Sequence, residues 1–321
     1  MLIPGMDQTT TTALKSSLDR LDLDLGNWDQ NQRIGGLLSR TVLGGGKRFR
    51  PLLSFLMGDF FGVDHNDLMP FARVVELVHA ATLAHDDVID NASLRRGQAS
   101  INAAVGNKRA VLAGDYLLAY AVDRVAQSKS PELVQALTKV ISDLAEGEWL
   151  QLDNACKLEI TMNDITDVAL KKTGSVLRWC SVVPSILSAQ PESNLKKAAE
   201  FGECLGIAFQ MTDDILDFKR KDGSEFADLK SGVINSVMFQ AAAIQSGCET
   251  LSLGSFDEKT IKTLPIEKGI LAVAQLVGEK LSLCRQILND LSNSPSIDTS
   301  IKTTAAHVSL NALISFLEAR V

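Results

Sequence analysis

The stretch Glu76-Leu-Val-His-Ala-Ala-Thr-Leu-Ala-His-Asp-Asp-Val-Ile-Asp90 joins an apolar helical run to three aspartates. Residues four apart share a helix face, so Asp86 and Asp90 project together while Asp87 lies on the flank. His79 lies on the same face, because residues 79, 83, 86 and 90 follow steps of four, three and four. The like charges cost the helix roughly a few tenths of a kcal/mol, which a bound cation would offset. The stretch therefore predicts a helix whose acidic face lines a groove.

A second acidic cluster, Asp213-Asp214-Ile-Leu-Asp217, repeats the pattern of two aspartates, two apolar residues and a third aspartate. Carboxylates are the hard oxygen ligands that Mg²⁺ prefers, and Mg²⁺ commonly completes its shell with water and substrate phosphates. One such cluster alone is as well explained by a solvated helix face. Two matching clusters embedded in apolar sequence favour a pair of metal-binding faces.

Basic residues complement the acidic clusters. Gly44-Gly-Gly-Lys47-Arg48-Phe49-Arg50-Pro51 places three cations beside a glycine loop, Arg95-Arg96-Gly97 follows the first acidic cluster, and Lys172-Thr173 lies in a later helical segment. Backbone N–H groups and guanidinium groups suit a diphosphate. The glycine loop is not a P-loop, since the pattern G-x-x-x-x-G-K-[ST] is absent. Cations together with metal-binding acids indicate a phosphate-bearing substrate.

The overall composition narrows the functional classes. The chain has 321 residues, 45% hydrophobic and 22% charged, and a net charge of −7, which argues against nucleic acid as a partner. Its five cysteines are scattered and contain no C-x-x-C pair, as expected for reduced thiols. The sequence contains neither a signal-peptide pattern nor an apolar run long enough to span a membrane. We expect a cytoplasmic protein with at most peripheral membrane contact.

Apolar residues recur at helical spacing along most of the chain, and alternating strand-like runs are few. The pattern predicts an all-α protein, a single domain over residues 1–321 with about ten or more helices. Ser130-Pro131-Glu132 is typical of a helix start, and Leu251–Leu264 is predicted to be a loop. The main helical segments are predicted at Phe71–His85, Ala110–Gln127, Pro131–Leu152, Ile165–Ser188, Leu195–Phe218 and Ile270–Leu291.

Together these motifs resemble the trans-polyprenyl diphosphate synthases of the isoprenyl diphosphate synthase family, and in particular long-chain bacterial octaprenyl-type members. The resemblance runs from about residue 35 to about residue 220, and it is specific in the order and spacing of its motifs. The matching stretches are Gly45–Pro51, Glu76–Asp90, Arg95–Gly97, Ala113–Tyr116, Glu146–Gln151, Lys172-Thr173 and Gly206–Asp217.

The resemblance implies a fold and a set of residue roles. The fold would be a helical bundle around a central cavity, the isoprenoid synthase fold, and the protein would be a homodimer. Isopentenyl diphosphate would be held by Lys47, Arg50, His79 and Arg96. The allylic diphosphate would be contacted by Arg95, Lys172, Thr173 and Gln210. Mg²⁺ would be bound by Asp86, Asp90 and Asp213, with Asp87, Asp214 and Asp217 in direct or water-mediated support; these six aspartates and Lys172 would form the catalytic group.

The implied reaction is head-to-tail condensation of isopentenyl diphosphate with an allylic prenyl diphosphate after Mg²⁺-assisted ionisation. Product length in this family depends on residues just before the first acidic cluster, where bulky aromatics stop the chain early. Here Ala81 and Thr82 are small, with Val78 on the next turn. We therefore expect a product longer than farnesyl diphosphate, although small side chains at a close helix contact would explain the same residues.

One loop departs from the family pattern. After the second acidic cluster, two positions that are usually lysine read Gly223 and Val233, and a usual threonine reads Asn235. Candidates to replace the missing cation are Lys219, Arg220, Lys221 and Lys230. This departure leaves open an alternative function, a non-catalytic or weakly active subunit of a hetero-oligomeric synthase. A terpene cyclase is a weaker alternative, because the second acidic cluster differs from the metal triad typical of cyclases.

Overall fold

The computed structural model describes residues 3, 5–6, 8–21, 32–44, 46–95, 97–157, 159–219, 233–252, 263–298 and 301–321. Arg96, Gly45 and residues 220–232, which include Gly223 and the candidate cations Arg220, Lys221 and Lys230, lie outside the described residues.

Helices make up most of the described chain, as the apolar spacing predicts. They are α1 (Gln8–Asp19), α2 (Gln32–Thr41), α3 (Phe49–Phe61), α4 (His65–Ile89), α5 (Ile101–Val105), α6 (Asn107–Ala126), α7 (Pro131–Cys156), α8 (Met162–Ala169), a π-helical turn (Leu170–Gly174), α9 (Ser175–Leu187), α10 (Glu192–Lys219), α11 (Ser236–Ser246), α12 (Ile266–Ser292) and α13 (Ile301–Glu318).

Polar side chains fix the starts of the helices that matter most for the site. Asp64 caps α4 by accepting a hydrogen bond from Asn66 N at 2.7 Å. Ser130 caps α7 by accepting from Leu133 N, with Pro131 in the first turn, which confirms the predicted helix start. Such caps satisfy backbone N–H groups that the first turn of a helix leaves without intrahelical partners.

The long helices pack around one hydrophobic core. α4 packs against α6, α10 against α9 and α12, and α3 against α9. Trp179 of α9 is fully buried in this core, and its indole N–H donates to the carbonyl of Phe71 on α4 at 3.4 Å. The core extends from α1 through α13 and holds α4, α7 and α10 in fixed relation, which positions both acidic clusters.

Two short antiparallel pairs are the strands of the described chain. β1 (Leu94–Arg95) pairs with β2 (Gln98–Ala99), and β3 (Glu159–Thr161) pairs with β4 (Thr250–Ser252). The loop predicted over Leu251–Leu264 is wrong at its start, because Leu251 is a buried residue of β4 that packs with Ile160 and Phe239. Residues 253–262 lie outside the described part of the chain.

The structure confirms the all-α prediction, and the six predicted segments coincide with helical structure, except that Gln127 and Ser188 lie one residue past the ends of α6 and α9. The segment predicted as Ile165–Ser188 is divided into α8, the π turn and α9. Among the described helices, none is both long enough and apolar enough to cross a lipid bilayer.

Candidate active site

A cavity of about 1080 Å³ lies between α4, α6, α7, α8, the π turn, α10 and residues 233–235. Its polar lining includes Arg50, His79, Asp86, Asp90, Asp115, Glu148, Gln151, Lys172, Thr173, Gln210, Asp214 and Asn235. Its apolar lining includes Leu83, Val88, Leu118, Ile141, Leu144, Ile160, Ile165, Val168 and Met211. The cavity thus joins a strongly charged group to walls of aliphatic side chains.

The first acidic cluster occupies the last turns of α4. Asp86 and Asp90 both line the cavity, as their spacing of four predicts. Asp87 points the other way and is fully buried, where Arg95 Nε donates to its Oδ1 at 2.7 Å and Ile101 N to its Oδ2 at 3.4 Å. Asp87 and Arg95 therefore brace the turn after α4 instead of lining the cavity.

Asp86 and Asp90 have higher pKa values than ordinary surface aspartates. The pKa of Asp86 is raised from 3.8 to about 6, mainly by burial and also by the negative charges of Glu148 and Asp90, against the opposing positive charges of Lys172 and Arg95. The pKa of Asp90 is raised for the same leading reason, burial, followed by the negative charge of Glu148. A carboxylate held in such surroundings gains from a nearby cation.

The second acidic cluster lies near the end of α10. Asp214 lines the cavity but is buried, and its Oδ2 accepts hydrogen bonds from Ser236 N at 3.1 Å and Ser236 Oγ at 2.6 Å. Asp213 is half-buried and Asp217 is buried. Within the described chain, Asp214 is thus the member of this cluster that reaches the cavity lining, and Ser236 at the start of α11 anchors it.

The π turn brings two further predicted residues to the cavity. A π turn inserts one extra residue into a helix and often marks a functional site. Lys172 and Thr173, adjacent in sequence, both line the cavity. Lys172 donates to the carboxylate of Glu148 and to Gln151 Oε1 on α7.

Thr173 begins a hydrogen-bonded chain that joins the π turn to α10. Its hydroxyl donates to Gln210 Oε1 at 2.9 Å, and Gln210 Nε2 donates to Asp214 Oδ1 at 3.0 Å. The predicted residues Thr173 and Gln210 are therefore in contact, and they connect the π turn to the second acidic cluster.

The cations of the glycine loop have separate surroundings. Arg50 lines the cavity together with His79, and its guanidinium lies 3.9 Å from Glu76. Arg48 pairs more closely with Glu76, at 2.6 Å, on the buried side of α4. Lys47 is exposed and outside the cavity lining, so of the residues predicted to hold isopentenyl diphosphate, Arg50 and His79 reach the cavity.

The altered loop is described only at its end. Val233, Ile234 and Asn235 all line the cavity, so the aliphatic side chain of Val233 lies at the position where the resemblance led us to expect a lysine. Lys219 is exposed, and its ammonium group donates to the carbonyl oxygen of Val321 at 2.6 Å. Lys219 is therefore directed toward the chain's last described residue and does not line the cavity.

Of the three residues predicted to set product length, one lines the cavity. Thr82 does so, and its hydroxyl donates to the carbonyl of His79 at 2.8 Å. Ala81 and Val78 are at most 1% exposed and belong to the hydrophobic core. Two turns along α7 from Glu148, Ile141 also contributes to the apolar wall.

Three site residues carry no role in the sequence prediction. Glu148 pairs with Lys172 and raises the pKa of Asp86, Ser236 anchors Asp214, and Glu76 pairs with Arg48. Glu148 and Glu76 lie within the stretches that carry the resemblance, so the signal for them was available. Ser236 had no such signal, because its contact depends on how α11 packs against α10.

The donor set fits a magnesium ion. Among the described residues, no three His, Cys, Asp or Glu side chains converge closely enough to form a metal site by themselves. Asp86 and Asp90 nevertheless present two carboxylates on one face, and the raised pKa of each reflects negative charge that burial penalises. Mg²⁺ commonly takes one or two carboxylates and fills its remaining positions with phosphate oxygens and water.

Comparison with solved structures identifies the fold. The crystal structure of a decaprenyl diphosphate synthase from Rhodobacter capsulatus superposes with a TM-score of 0.82 at 24% identity, covering 98% of both chains. The bundle therefore has the isoprenoid synthase fold, as the resemblance in sequence implies.

Comparison with known sequences identifies the family. Octaprenyl diphosphate synthase of Escherichia coli is 35% identical over 194 residues, covering 60% of each protein. Decaprenyl-diphosphate synthase subunit 1 of Schizosaccharomyces pombe is 36% identical over 225 residues, covering 59% of each. The match thus spans about 60% of the length of these relatives. A sequence model of the polyprenyl synthetase family matches residues 31–259, and the chain therefore belongs to that family.

Proposed function

We propose that this protein is a prenyltransferase that condenses isopentenyl diphosphate head to tail with an allylic prenyl diphosphate. The observation that carries the proposal is the single cavity in which Asp86, Asp90, Asp214 and Lys172 meet a wall of aliphatic side chains. Such a cavity suits a substrate with a diphosphate at one end and a hydrocarbon chain at the other. The names of the related synthases from Escherichia coli and Schizosaccharomyces pombe support the same reading.

Asp86 and Asp90 would hold Mg²⁺, with Asp213 in a third position and Asp217 acting through water, while Asp87 would steady this end of α4 through its hydrogen bond with Arg95. When bound, Mg²⁺ would neutralise the diphosphate leaving group as the allylic C–O bond breaks. Lys172 would add positive charge beside the departing diphosphate, exchanging its partner Glu148 for a phosphate oxygen. Thr173 and Gln210 would orient the same group through the hydrogen bond that joins them.

Arg50 and His79 would hold the diphosphate of the second substrate, together with Lys47 and Arg96. The C=C double bond of isopentenyl diphosphate then attacks the allylic carbocation and forms the new C–C bond. A proton leaves the adjacent carbon for the released diphosphate, which restores a double bond and balances the charge. Leu118, Ile141 and Leu144 exclude water, which would otherwise capture the carbocation.

The direct test is chain elongation by the purified protein with Mg²⁺, labelled isopentenyl diphosphate and farnesyl diphosphate. We expect a ladder of longer chains that EDTA abolishes and that Asp86→Ala reduces by about a thousandfold, as for loss of a main electrostatic group. Asp123→Ala, at an exposed aspartate of α6 paired with Arg124, is the matched control and should leave the ladder unchanged. No elongation by folded protein with any allylic primer would favour the alternative, a weakly active or non-catalytic subunit.

We further propose that the product is longer than farnesyl diphosphate, because Thr82 leaves the cavity wall open. Thr82→Phe should shorten the ladder, since its side chain lines the cavity. Ala81→Phe should instead lower stability by about 1–3 kcal/mol, because Ala81 is buried in the core and a larger side chain overpacks it. Chains of unchanged length from Thr82→Phe would place the length-determining contact elsewhere.

A homodimer, a single domain over residues 1–321 and a cytoplasmic location complete the proposal. Leu112 of α6 is 65% exposed and is the candidate contact residue that we would change. Light scattering of the wild type and of Leu112→Glu tests the dimer. A wild type that stays monomeric at micromolar concentration would contradict it.

A further inference from the structure

The π turn lies between α7 and α10, and a glycine of each helix faces it closely. A Cβ atom on Gly147 of α7 would lie 2.8 Å from Lys172 Cγ and 2.9 Å from Lys171 Cβ. On the opposite side, a Cβ atom on Gly206 of α10 would lie 2.4 Å from Gly174 Cα. The two glycines therefore let α7 and α10 approach the turn closely from both sides.

Register decides which of two adjacent lysines faces the cavity. Each residue of a helix turns the side-chain direction by about 100°, so moving the extra residue by one position would carry Lys172 into the outward place of Lys171 and Thr173 into the place of Lys172. The two acids that flank Gly147 take one lysine each. Glu148 pairs with Lys172 on the cavity side, and Glu146 pairs with Lys171 on the outer side.

The outer side carries a network centred on one buried carboxylate. Asp143 is 3% exposed and pairs with Arg178 at 2.7 Å, with Lys171 at 3.5 Å and with Lys139 at 2.6 Å. Arg178 extends the network to Glu203 of α10 at 3.0 Å. Burial alone would raise the pKa of Asp143, but hydrogen bonds from Lys139 and Arg178 outweigh it and leave the pKa below its usual value.

We propose that Asp143 is a positioning residue: by holding Lys171 and Arg178 on the outer face of the π turn, it fixes the register that leaves Lys172 and Thr173 facing the cavity. The effect on catalysis rests on the proposed function, whereas the effect on register does not. Because Asp143 is buried, its ion pairs are screened less than those on the surface. Of its partners, Lys171 lies within the turn and Arg178 lies one helical turn after its last residue, Gly174, so Asp143 joins the turn to the start of α9.

The first experiment measures the turn directly, without any ligand. Asp143→Asn should raise hydrogen exchange of the amides of residues 170–175 by about tenfold, as local opening becomes easier. It should also raise acetic anhydride labelling of Lys172 relative to Lys171. The variant should fold, because Lys171 keeps Glu146 and Arg178 keeps Glu203. Lys139→Ala, which removes a partner of Asp143 remote from the π turn, should change neither readout.

The second experiment connects the register to anion binding, using inorganic diphosphate with Mg²⁺ in a calorimeter. Asp143→Asn should weaken binding about tenfold, within the usual range of coupling between neighbouring groups. The loss should disappear when Lys172 is already alanine, and Asp143→Glu should restore part of the affinity. If the two losses simply add, Asp143 does not act through Lys172.

The outcomes separate the inference from the proposed function. Unchanged exchange and labelling in Asp143→Asn would overturn the positioning role, whether or not the protein binds diphosphate. A wild type that fails to bind diphosphate would count against the proposed function, while exchange and labelling would still decide whether Asp143 sets the register.

Discussion

The two acidic clusters have the same sequence pattern and different surroundings. In the cluster on α4, Asp86 and Asp90 both line the cavity, Asp86 half-buried and Asp90 exposed. In the cluster on α10, Asp214 lines the cavity but is buried, and Asp217 is buried as well. The first cluster thus presents carboxylates to the cavity, whereas the second is largely enclosed by protein.

The two acidic clusters also share one feature, the burial of their second aspartate. The second aspartate of each cluster is buried and accepts hydrogen bonds: Asp87 from Arg95 and Ile101 N, and Asp214 from Ser236 and Gln210. Burying a carboxylate is tolerated when its oxygens have such partners. In both clusters, therefore, the second aspartate braces the local structure through its hydrogen bonds.

The largest expected effect on stability separates Asp87 from its neighbour Asp86. Asp87→Ala should lower the free energy of unfolding by about 3 kcal/mol, the lower end of the usual cost of breaking a buried ion pair, because Arg95 is 26% exposed. Asp86→Ala should not lower it, because no hydrogen bond of this kind is lost and burial disfavours its charge. Urea denaturation of both variants measures the difference.

Equal losses in the free energy of unfolding for Asp87→Ala and Asp86→Ala would contradict this difference, because both aspartates would then stabilise the fold. Asp123→Ala serves again as the control, because this aspartate is exposed and pairs with the adjacent Arg124. Surface pairs of this kind contribute about 0–1 kcal/mol.

A smaller effect tests the brace of the second cluster. Ser236→Ala removes a 2.6 Å hydrogen bond to the buried Asp214 and should lower the free energy of unfolding by about 2 kcal/mol, as for other hydrogen bonds to charged groups. Ser181→Ala is the matched control, because Ser181 is equally buried but its hydroxyl donates to the backbone carbonyl of Leu177. A loss in Ser236→Ala no greater than in the control would mean that Asp214 is held mainly by other contacts.

Much of the fold was predictable from the sequence, for physical reasons. The three- and four-residue spacing of apolar residues locates α4, α6, α7, α10 and α12, because long amphipathic helices repeat that signal over several turns. β3 and β4 were not predictable, since each is three residues long and their pairing joins positions about 90 residues apart. The start of the predicted loop at Leu251 failed for that reason.

The sequence predicted which residues form the site better than it predicted the contacts that each of them makes. Helical spacing places Asp86 and Asp90 on one face, and the structure agrees. Spacing cannot tell that Arg95 turns back to Asp87, because that contact depends on the β1–β2 hairpin. The π turn was equally hidden, since no residue type marks it, yet it determines where Lys172 and Thr173 lie.

The smallest expected effect is on how the free energy of unfolding changes with pH when Asp86 is replaced. Asp86→Asn should raise the free energy of unfolding at pH 8 by about 1–2 kcal/mol, roughly half of what a pKa shift from 3.8 to about 6 implies, since the group is partly solvated. The folded pKa lies above the unfolded one, so the folded state binds the proton more tightly between about pH 4 and pH 6. Wild-type stability from this group therefore increases as the pH falls through that window, and the advantage of asparagine shrinks toward pH 4. Denaturation at pH 8, pH 6 and pH 4, with Asp123→Asn as control, measures the trend. A gain that is the same at all three values would show that the carboxylate's charge is not its source, and the electrostatic contrast between the two clusters would fail.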